Sequence, residues 1–239
     1  MIPLLAQIDY RASSGRSPWH AASALGKLLV AAVAVGAAVF APHLPAVLAV
    51  HAVVAILVMT AGLPASLVFA AAGYPLLFSA LFALSRLDGT WGTPLLVVLR
   101  PLAASLAAAW LVGTTPYPDL FAPLSRLLPR RTGDSLFLTY RALFALLARA
   151  DRMVVALRLR GGLQGPVRRR LRVAGEGLGL LAVQGFERSH RLYHTMLLRG
   201  HSGRICGCRH YADPGPADRW VAVAGVVLLA LVVATWRLG

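Results

Sequence analysis

The apolar residues of the chain fall into five runs, each close to the roughly 20 residues that cross the hydrocarbon core of a bilayer. Four runs lie in the first half of the chain and one at its carboxyl end. We expect an interruption of the third run at Gly73-Tyr74-Pro75, because proline removes a backbone donor. The pattern predicts an all-α polytopic membrane protein with about five transmembrane helices, at residues 25–40, 46–62, 64–84, 94–113 and 220–236.

The segment between the fourth and fifth runs is roughly a hundred residues long, far more than a connecting loop needs. Within it, residues 134–160 and 171–199 lack proline and alternate apolar with basic residues at helical spacing, which predicts two long helices. Gly161 and Gly200 follow them, where a left-handed residue favours helix termination. The predicted domains are therefore a membrane domain at 1–113, a cytoplasmic domain at 114–218 and a carboxyl-terminal transmembrane helix at 219–239.

Composition agrees with a membrane protein, since 58% of the residues are hydrophobic and only 14% are charged, against about a quarter in soluble domains. The net charge of +15 is local, because 18 of the 24 Lys and Arg lie at 126–219. No aromatic-interleaved basic face accompanies it, which disfavours a nucleic-acid-binding module.

Arg11, Arg16 and Lys27 flank the first run, so the positive-inside rule predicts a cytoplasmic amino terminus. We expect Lys27 to snorkel at the edge of that run, and no signal peptide at 1–16.

The two predicted cytoplasmic helices share an internal match at a spacing of 39 residues. The matched pairs are Arg149 with Arg188, Arg152 with Arg191, Arg160 with Arg199, and Gly161 with Gly200. Each helix thus has a basic stripe with an arginine at its tip. The stripe could attract anionic headgroups, at about 1 kcal/mol per residue. Alternatively, each tip docks on carboxylates or carbonyls of a partner with two equivalent receptors, a hypothesis that expects the two tips to lie near each other.

Chemistry within the chain is limited. No GxxxxGK[ST] phosphate-binding loop and no GxSxG nucleophile motif occurs, so we expect no enzymatic activity. Cys206, Cys208 and His210 could bind a metal, but two cysteines one residue apart make a poor four-ligand site. Arg100 lies within the fourth run, where a charge is expensive. It could pair with carbonyls loosened by Pro101, snorkel towards an interface, or contact another subunit.

Two stretches resemble the paired Ala-Arg-Gly-type signatures of the T component of energy-coupling factor transporters, and the cobalt and nickel branch, the CbiQ type, is the nearest match. The stretches are residues 156–161 and 195–203, and the similarity extends to residues 9–27, 99–103 and 114–120. Leu159, Thr195 and Gly162 depart from the usual signatures.

The resemblance implies a non-catalytic energy-coupling subunit in a bacterial-type plasma membrane, linking two ABC-type ATPases to a substrate-binding membrane subunit. Arg160 and Arg199 would enter grooves of the ATPases, with Gly161 and Gly200 as their turns and with Arg158 and Leu198 beside them. If Arg100 has a functional role, it would be contact with the substrate-binding subunit, as an alternative to pairing within the bundle. The chain would bind no cofactor, since ATP and magnesium belong to the ATPases. The cargo would be cobalt, with nickel or a vitamin as alternatives. The competing hypothesis is a membrane-anchored assembly protein whose basic arm binds headgroups or an acidic partner.

Overall fold

The computed structural model describes residues 2–15, 17–41, 43–85, 92–201 and 215–237. Those residues form helices and connecting turns, and they contain no β-strand. Contacts divide them into two compact units: a bundle unit (residues 6–123 and 209–239) and a helix-pair unit (residues 1–5 and 124–208). The helices are α1 (Ile2–Ser14), α2 (Pro18–Ala21), α3 (Ala24–Phe40), α4 (Leu44–Ala61), α5 (Ala65–Leu84), α6 (Gly92–Thr114), α7 (Tyr117–Leu127), α8 (Arg130–Leu159), α9 (Val167–Leu198) and α10 (Asp218–Arg237).

The bundle unit contains the apolar helices. By length and composition, α4, α5 and α6 can each cross a bilayer, and α3 is a shorter apolar helix. The buried core of the unit is built from α3, α4, α6 and α10, with Val54, Trp110 and Leu228 almost fully enclosed. This all-α architecture confirms the predicted fold class of a polytopic membrane protein. That α10 makes a fifth crossing stays a prediction.

The helix ends in the bundle unit show how its helices are oriented. The Lys27 side chain near the start of α3 reaches the carbonyl of Thr114 at the end of α6. The Ser23 backbone just before α3 donates to Asp218, the first residue of α10. Hence α3 and α10 start at the same end of the bundle, where α6 stops. The chain leaves this unit and returns to it at that one end, as the order of the apolar runs predicts.

The expected interruption of the third run is wrong, because α5 continues through Pro75 without a break. Proline has a φ angle that suits an α-helix and removes only one hydrogen bond from it. In a 20-residue helix the remaining bonds suffice, and prolines are tolerated in transmembrane helices. Pro101 within α6 is accommodated in the same way.

The helix-pair unit consists mainly of α8 and α9, with 30 and 32 residues, each starting four residues before its predicted position. The two helices run antiparallel. A Cβ atom on Gly162 would lie 3.0 Å from Val173, one on Gly177 would lie 2.9 Å from Met153 Sδ, and one on Gly185 would lie 3.7 Å from Leu146. Gly177 is the one buried residue of α9, so the closest approach of the two helices depends on its missing side chain.

Candidate partner-docking site

The two predicted helix tips have the same backbone structure. Arg160 ends α8 with φ −83° and ψ 6°, and Arg199 ends α9 with φ −90° and ψ 11°. The glycines that follow are left-handed, with φ +65° at Gly161 and +73° at Gly200. Left-handed termination at these glycines is therefore confirmed, and a residue with a side chain would be strained there.

The hydrogen bonds at the tips also match residue by residue. The Gly161 N–H donates to the Arg158 carbonyl at 3.0 Å, and the Gly200 N–H donates to the Leu197 carbonyl at 3.0 Å. One residue further on, Gly162 donates to Leu157 at 2.9 Å and His201 donates to Met196 at 3.0 Å. Each pair of bonds is a Schellman motif, which satisfies carbonyls left open at a helix end. The 39-residue sequence match is thus also a structural match.

Each tip presents an apolar side chain beside its arginine. Leu159 is 84% exposed and Leu198 is 88% exposed, while Arg158, Arg160 and Arg199 are all exposed as well. An exposed leucine next to a guanidinium offers a partner both apolar area and a planar donor for carboxylates. The two tips therefore carry the same chemistry as well as the same backbone.

The tips lie at opposite ends of the helix pair. Arg160 ends α8 beside the first turns of α9, and Arg199 ends α9 itself. The α8 tip lies at the level of Val173, and the helix from there to Arg199 is about 40 Å long, which gives the approximate separation of the tips. The expectation that they lie near each other is wrong, because the helices are antiparallel and each has its tip at its carboxyl end.

A groove runs between α8 and α9, with a volume of about 740 Å³. Its polar lining contains four arginines and two glutamates: Arg149, Arg152, Arg160, Arg191, Glu176 and Glu187. The predicted stripe on α8 therefore faces one groove. The stripe on α9 is divided, because Arg188 lines a separate pocket of about 240 Å³ with Arg141 and Leu146. Ion pairs of Arg191 with Glu187 and of Arg172 with Glu176, both at 3.8 Å and exposed, stabilise the helices little.

Residues 15–207 of the chain match the family described as CbiQ, cobalt transport protein. The chain belongs to the CbiQ family. It is a multi-pass membrane component of cobalt transport that works with other subunits, and the matched region contains both arginine tips. No curated protein matches the chain.

Arg100 of this CbiQ protein is turned towards the bundle interior. Its Nη2 donates to the carbonyl of Ala41 at 2.8 Å. That carbonyl belongs to the C-terminal end of α3, where the last carbonyls lack helical donors and attract a cation. Pairing with a carbonyl is confirmed, but the carbonyl belongs to α3 and is not one loosened by Pro101. Contact of Arg100 with a substrate-binding subunit stays a prediction.

The possible metal ligands Cys206, Cys208 and His210 lie outside the described residues. Within the described ranges, no three His, Cys, Asp or Glu side chains come together to hold a metal ion.

Sequence reasoning missed the role of Lys27. The prediction that it snorkels is wrong: the side chain is 1% exposed, and its Nζ donates to the Thr114 carbonyl at 3.0 Å. That carbonyl ends α6 and has no helical donor, and the negative charges of Asp119 and Asp218 act on the ammonium group. The sequence did contain one signal for an inward-facing Lys27: these two carboxylates lie just outside the fourth and fifth apolar runs.

Asp218 lies two residues before the predicted fifth span and is held by backbone donors. Its Oδ1 accepts from the Ser23 N–H at 2.6 Å, and its Oδ2 accepts from the Gly215 N–H at 2.8 Å. Partial burial raises the pKa of Asp218, but these hydrogen bonds and the charge of Lys27 outweigh it, so the pKa lies below its usual value. The carboxylate is therefore ionised, and it joins the backbone just before α3 to the backbone just before α10.

Proposed function

We propose that this CbiQ chain couples two cytoplasmic ABC-type ATPases to a substrate-binding membrane subunit, with one arginine tip docked on each ATPase. The observation that carries the proposal is the structural equivalence of the tips at Arg160-Gly161 and Arg199-Gly200. Two equivalent tips on one chain fit two equivalent receptors, which a pair of related ATPases provides. Isologous or pseudo-symmetric pairing is the usual form of such assemblies.

The exposed leucines support docking on protein. Leu159 and Leu198 are exposed in the helix-pair unit, so each offers apolar area that a protein partner could bury. The arginine beside each leucine is of a residue type enriched among those that dominate binding energy. Attraction to lipid headgroups requires basic charge only. It gives no reason for a matched leucine, arginine and left-handed glycine at each tip.

The separation of the tips contradicts the expectation from the sequence that they lie near each other, so docking requires two receptors whose sites are equally far apart. A compact domain of about 250 residues has a radius of gyration of about 18 Å, hence a diameter of about 45 Å. Equivalent sites on two such domains, side by side, are separated by about that diameter. The tip separation of about 40 Å is close to this value.

In the proposed mechanism, ATP-driven closure of the two ATPases moves the tips relative to each other. The helices would pivot where they are closest, at Gly177 against Met153 and Leu157. Their motion would tilt the substrate-binding subunit so that its cargo is released inward. ATP and magnesium would be bound by the ATPases, and no cofactor by this chain.

Cobalt is the proposed cargo, because the family is described as one of cobalt transport. The substrate-binding subunit selects it, so nickel is the competing substrate. Uptake of radioactive cobalt and nickel by proteoliposomes that contain the whole complex decides between them. A preference for nickel would contradict this part of the proposal.

Co-purification tests the docking. A tagged chain expressed with its neighbouring subunits should bring down two ATPase subunits. The amount of co-purified ATPase should be at least tenfold lower for the Arg160→Glu/Arg199→Glu variant. Arg141→Glu/Arg188→Glu is the matched control, with the same charge change on the same two helices, because both arginines line a separate pocket away from the tips.

Docking at the tips predicts that the control retains the ATPases. Headgroup attraction predicts equal behaviour of both double variants, together with equal loss of binding to anionic vesicles. An intact complex in Arg160→Glu/Arg199→Glu would remove the docking proposal. Single variants, each expected to lose one of two ATPases, distinguish two equivalent receptors from one shared receptor.

A further inference from the structure

The smaller of the two pockets between α8 and α9 is lined by positive charge without any negative charge. Its volume is about 240 Å³. The lining residues on α9 share one face of that helix, at spacings of three, four and seven residues from the first. They are Gly185, Arg188, Ser189 and Leu192. The pocket is thus a defined space between two packed helices, with one wall from each.

Two guanidinium groups line this pocket from opposite walls, Arg141 on α8 and Arg188 on α9, and both side chains are exposed. In the part of the chain that the structure describes, neither arginine has an ion pair, whereas Arg191, three residues further along α9, is paired with Glu187. Two like charges across a small pocket repel each other. An anion between them would remove that repulsion, so the charge of the pocket suits an anionic ligand.

Two hydroxyl groups add donors to the same pocket, from Thr139 on α8 and Ser189 on α9. A hydroxyl on a helix often donates to a carbonyl of the preceding turn, as Thr195 does to Leu192 at 2.8 Å. Among the described residues, neither Thr139 nor Ser189 makes such a bond. Both O–H groups are therefore available to a ligand in the pocket.

We infer that this pocket binds a phosphoryl group, held between Arg141 and Arg188 with Thr139 and Ser189 as further donors. A guanidinium presents its N–H groups as a planar fork that matches phosphate oxygens. Donors on two opposite walls suit a tetrahedral phosphoryl group, whose oxygens point in several directions, better than a planar carboxylate. The inference does not depend on ATPase docking, because it uses neither tip arginine.

The rest of the lining is apolar and includes Leu138, Leu146 and Leu192. Apolar area beside the donors suits the organic part of a phosphate ester. Gly185 keeps the space open: a Cβ atom there would lie 3.7 Å from Leu146, in ordinary contact, and a longer side chain would extend into the pocket. An anionic phospholipid and a soluble phosphate share this chemistry, so the experiment has to distinguish the two sources.

Isothermal titration calorimetry on the purified chain in detergent tests the inference, at constant ionic strength. The probes are inorganic phosphate and mixed micelles that contain either phosphatidylglycerol or phosphatidylcholine. Binding of phosphatidylglycerol without phosphate identifies a lipid headgroup, and binding of phosphate without a preference for phosphatidylglycerol identifies a soluble ligand. Binding of neither phosphate nor phosphatidylglycerol would overturn the inference.

The Arg141→Gln/Arg188→Gln variant should weaken binding of the phosphoryl probe by about tenfold or more, because hydrogen bonds to a charged group are lost. Arg169→Gln/Arg170→Gln is the matched control: it makes the same charge change at two exposed arginines of α9 that line neither pocket, and it should alter the affinity by less than about twofold. Equal losses in the two variants would show general attraction of anions to the basic helices and would overturn the inference.

A pair of variants at Gly185 separates the pocket from its charge. Gly185→Leu keeps every charge but fills the space, so it should also weaken binding by about tenfold or more. Gly185→Ala is its matched control, since a Cβ fits beside Leu146, and should stay within about threefold of the wild type. Unchanged binding in Gly185→Leu would place the ligand elsewhere and contradict the inference. This pair decides the matter if the arginine variant does not accumulate.

Discussion

The two units of the molecule differ in whether their cationic side chains point inward or are exposed. In the bundle unit, Lys27 and Arg100 turn inward and donate to the carbonyls of Thr114 and Ala41, each at the end of a helix. In the helix-pair unit, the arginines at the tips are exposed. In the bundle unit these two cations donate to carbonyls at helix ends, whereas the arginines at the tips of the helix pair are exposed, as the proposed docking requires.

The difference follows from the surroundings of each unit. A charge among apolar helices is expensive unless a partner is provided, so the few cations there sit at helix ends with free acceptors. Along α8 and α9, water solvates the arginines, and ion pairs such as Arg191 with Glu187 contribute little to stability. The cations Lys27 and Arg100 are thus paired within the bundle, whereas the exposed arginines at the tips remain accessible to the proposed partners.

The first way to test this comparison is to remove one leucine from each unit. Leu228 is 0% exposed in the bundle core, and Leu178 is 63% exposed on α9. Leu228→Ala should lower the free energy of unfolding by about 2–5 kcal/mol because it leaves a cavity. Leu178→Ala should change it by less than about 0.5 kcal/mol. Thermal unfolding of the purified chain in detergent measures both, and equal losses would contradict the division into a packed bundle and an open helix pair.

The next largest effect concerns the tips. Gly161→Val or Gly200→Val places a branched side chain at a positive φ, at a cost of about 1–3 kcal/mol, while the arginines remain. We expect the affinity for the ATPases, measured by titration with purified ATPase, to fall by about tenfold. Gly175→Ala and Gly179→Ala are controls, since a Cβ there meets open space and should stabilise α9 by about 0.5–1 kcal/mol. An unchanged affinity in both valine variants would show that the turn is not needed for docking.

Much of this fold could be read from the sequence, because local signals determine it. Apolar runs define the helices of the bundle, and Gly161 and Gly200 define where α8 and α9 end. The errors arose where a distant residue decides the outcome. Lys27 turns inward because Thr114 offers an open carbonyl 87 positions away, which no local pattern contains. The separation of the tips likewise depends on the antiparallel pairing of two helices.

The crossing of the helix pair provides a third test. A Cβ on Gly177 would lie 2.9 Å from Met153 Sδ and 3.4 Å from Leu157 Cδ1. Gly177→Ala should be tolerated, because the end of the Met153 side chain can move. Gly177→Leu should destabilise the pair by about 1–3 kcal/mol and push α8 and α9 apart. Spin labels at positions 152 and 184, with Cys206 and Cys208 replaced by serine, measure the separation. No increase in Gly177→Leu would contradict a close contact at this glycine.

The smallest expected effect is a change in the stability of the folded chain with pH, caused by His20 at the end of the bundle where Lys27 lies. Burial and the charge of Lys27 lower the pKa of His20, although its hydrogen bond with the Gly113 backbone raises it in part. The folded state therefore favours the neutral ring, which also pairs with the Ser17 hydroxyl at 2.6 Å. A lowered folded pKa means that this stability is complete above the ordinary histidine pKa of about 6.5 and is lost as the pH falls through the folded value.

The melting temperature of the purified chain should accordingly fall between pH 7.5 and pH 5, by less than the shift caused by Leu228→Ala. His20→Gln removes the titrating group and should flatten this dependence. Lys27→Met removes a charge that disfavours protonation of His20 but leaves the ring buried, so it should weaken the dependence without abolishing it. A full pH dependence in His20→Gln would assign the titration to another group. If Lys27→Met left the dependence unchanged, the charge of Lys27 would not be a cause of the lowered pKa of His20.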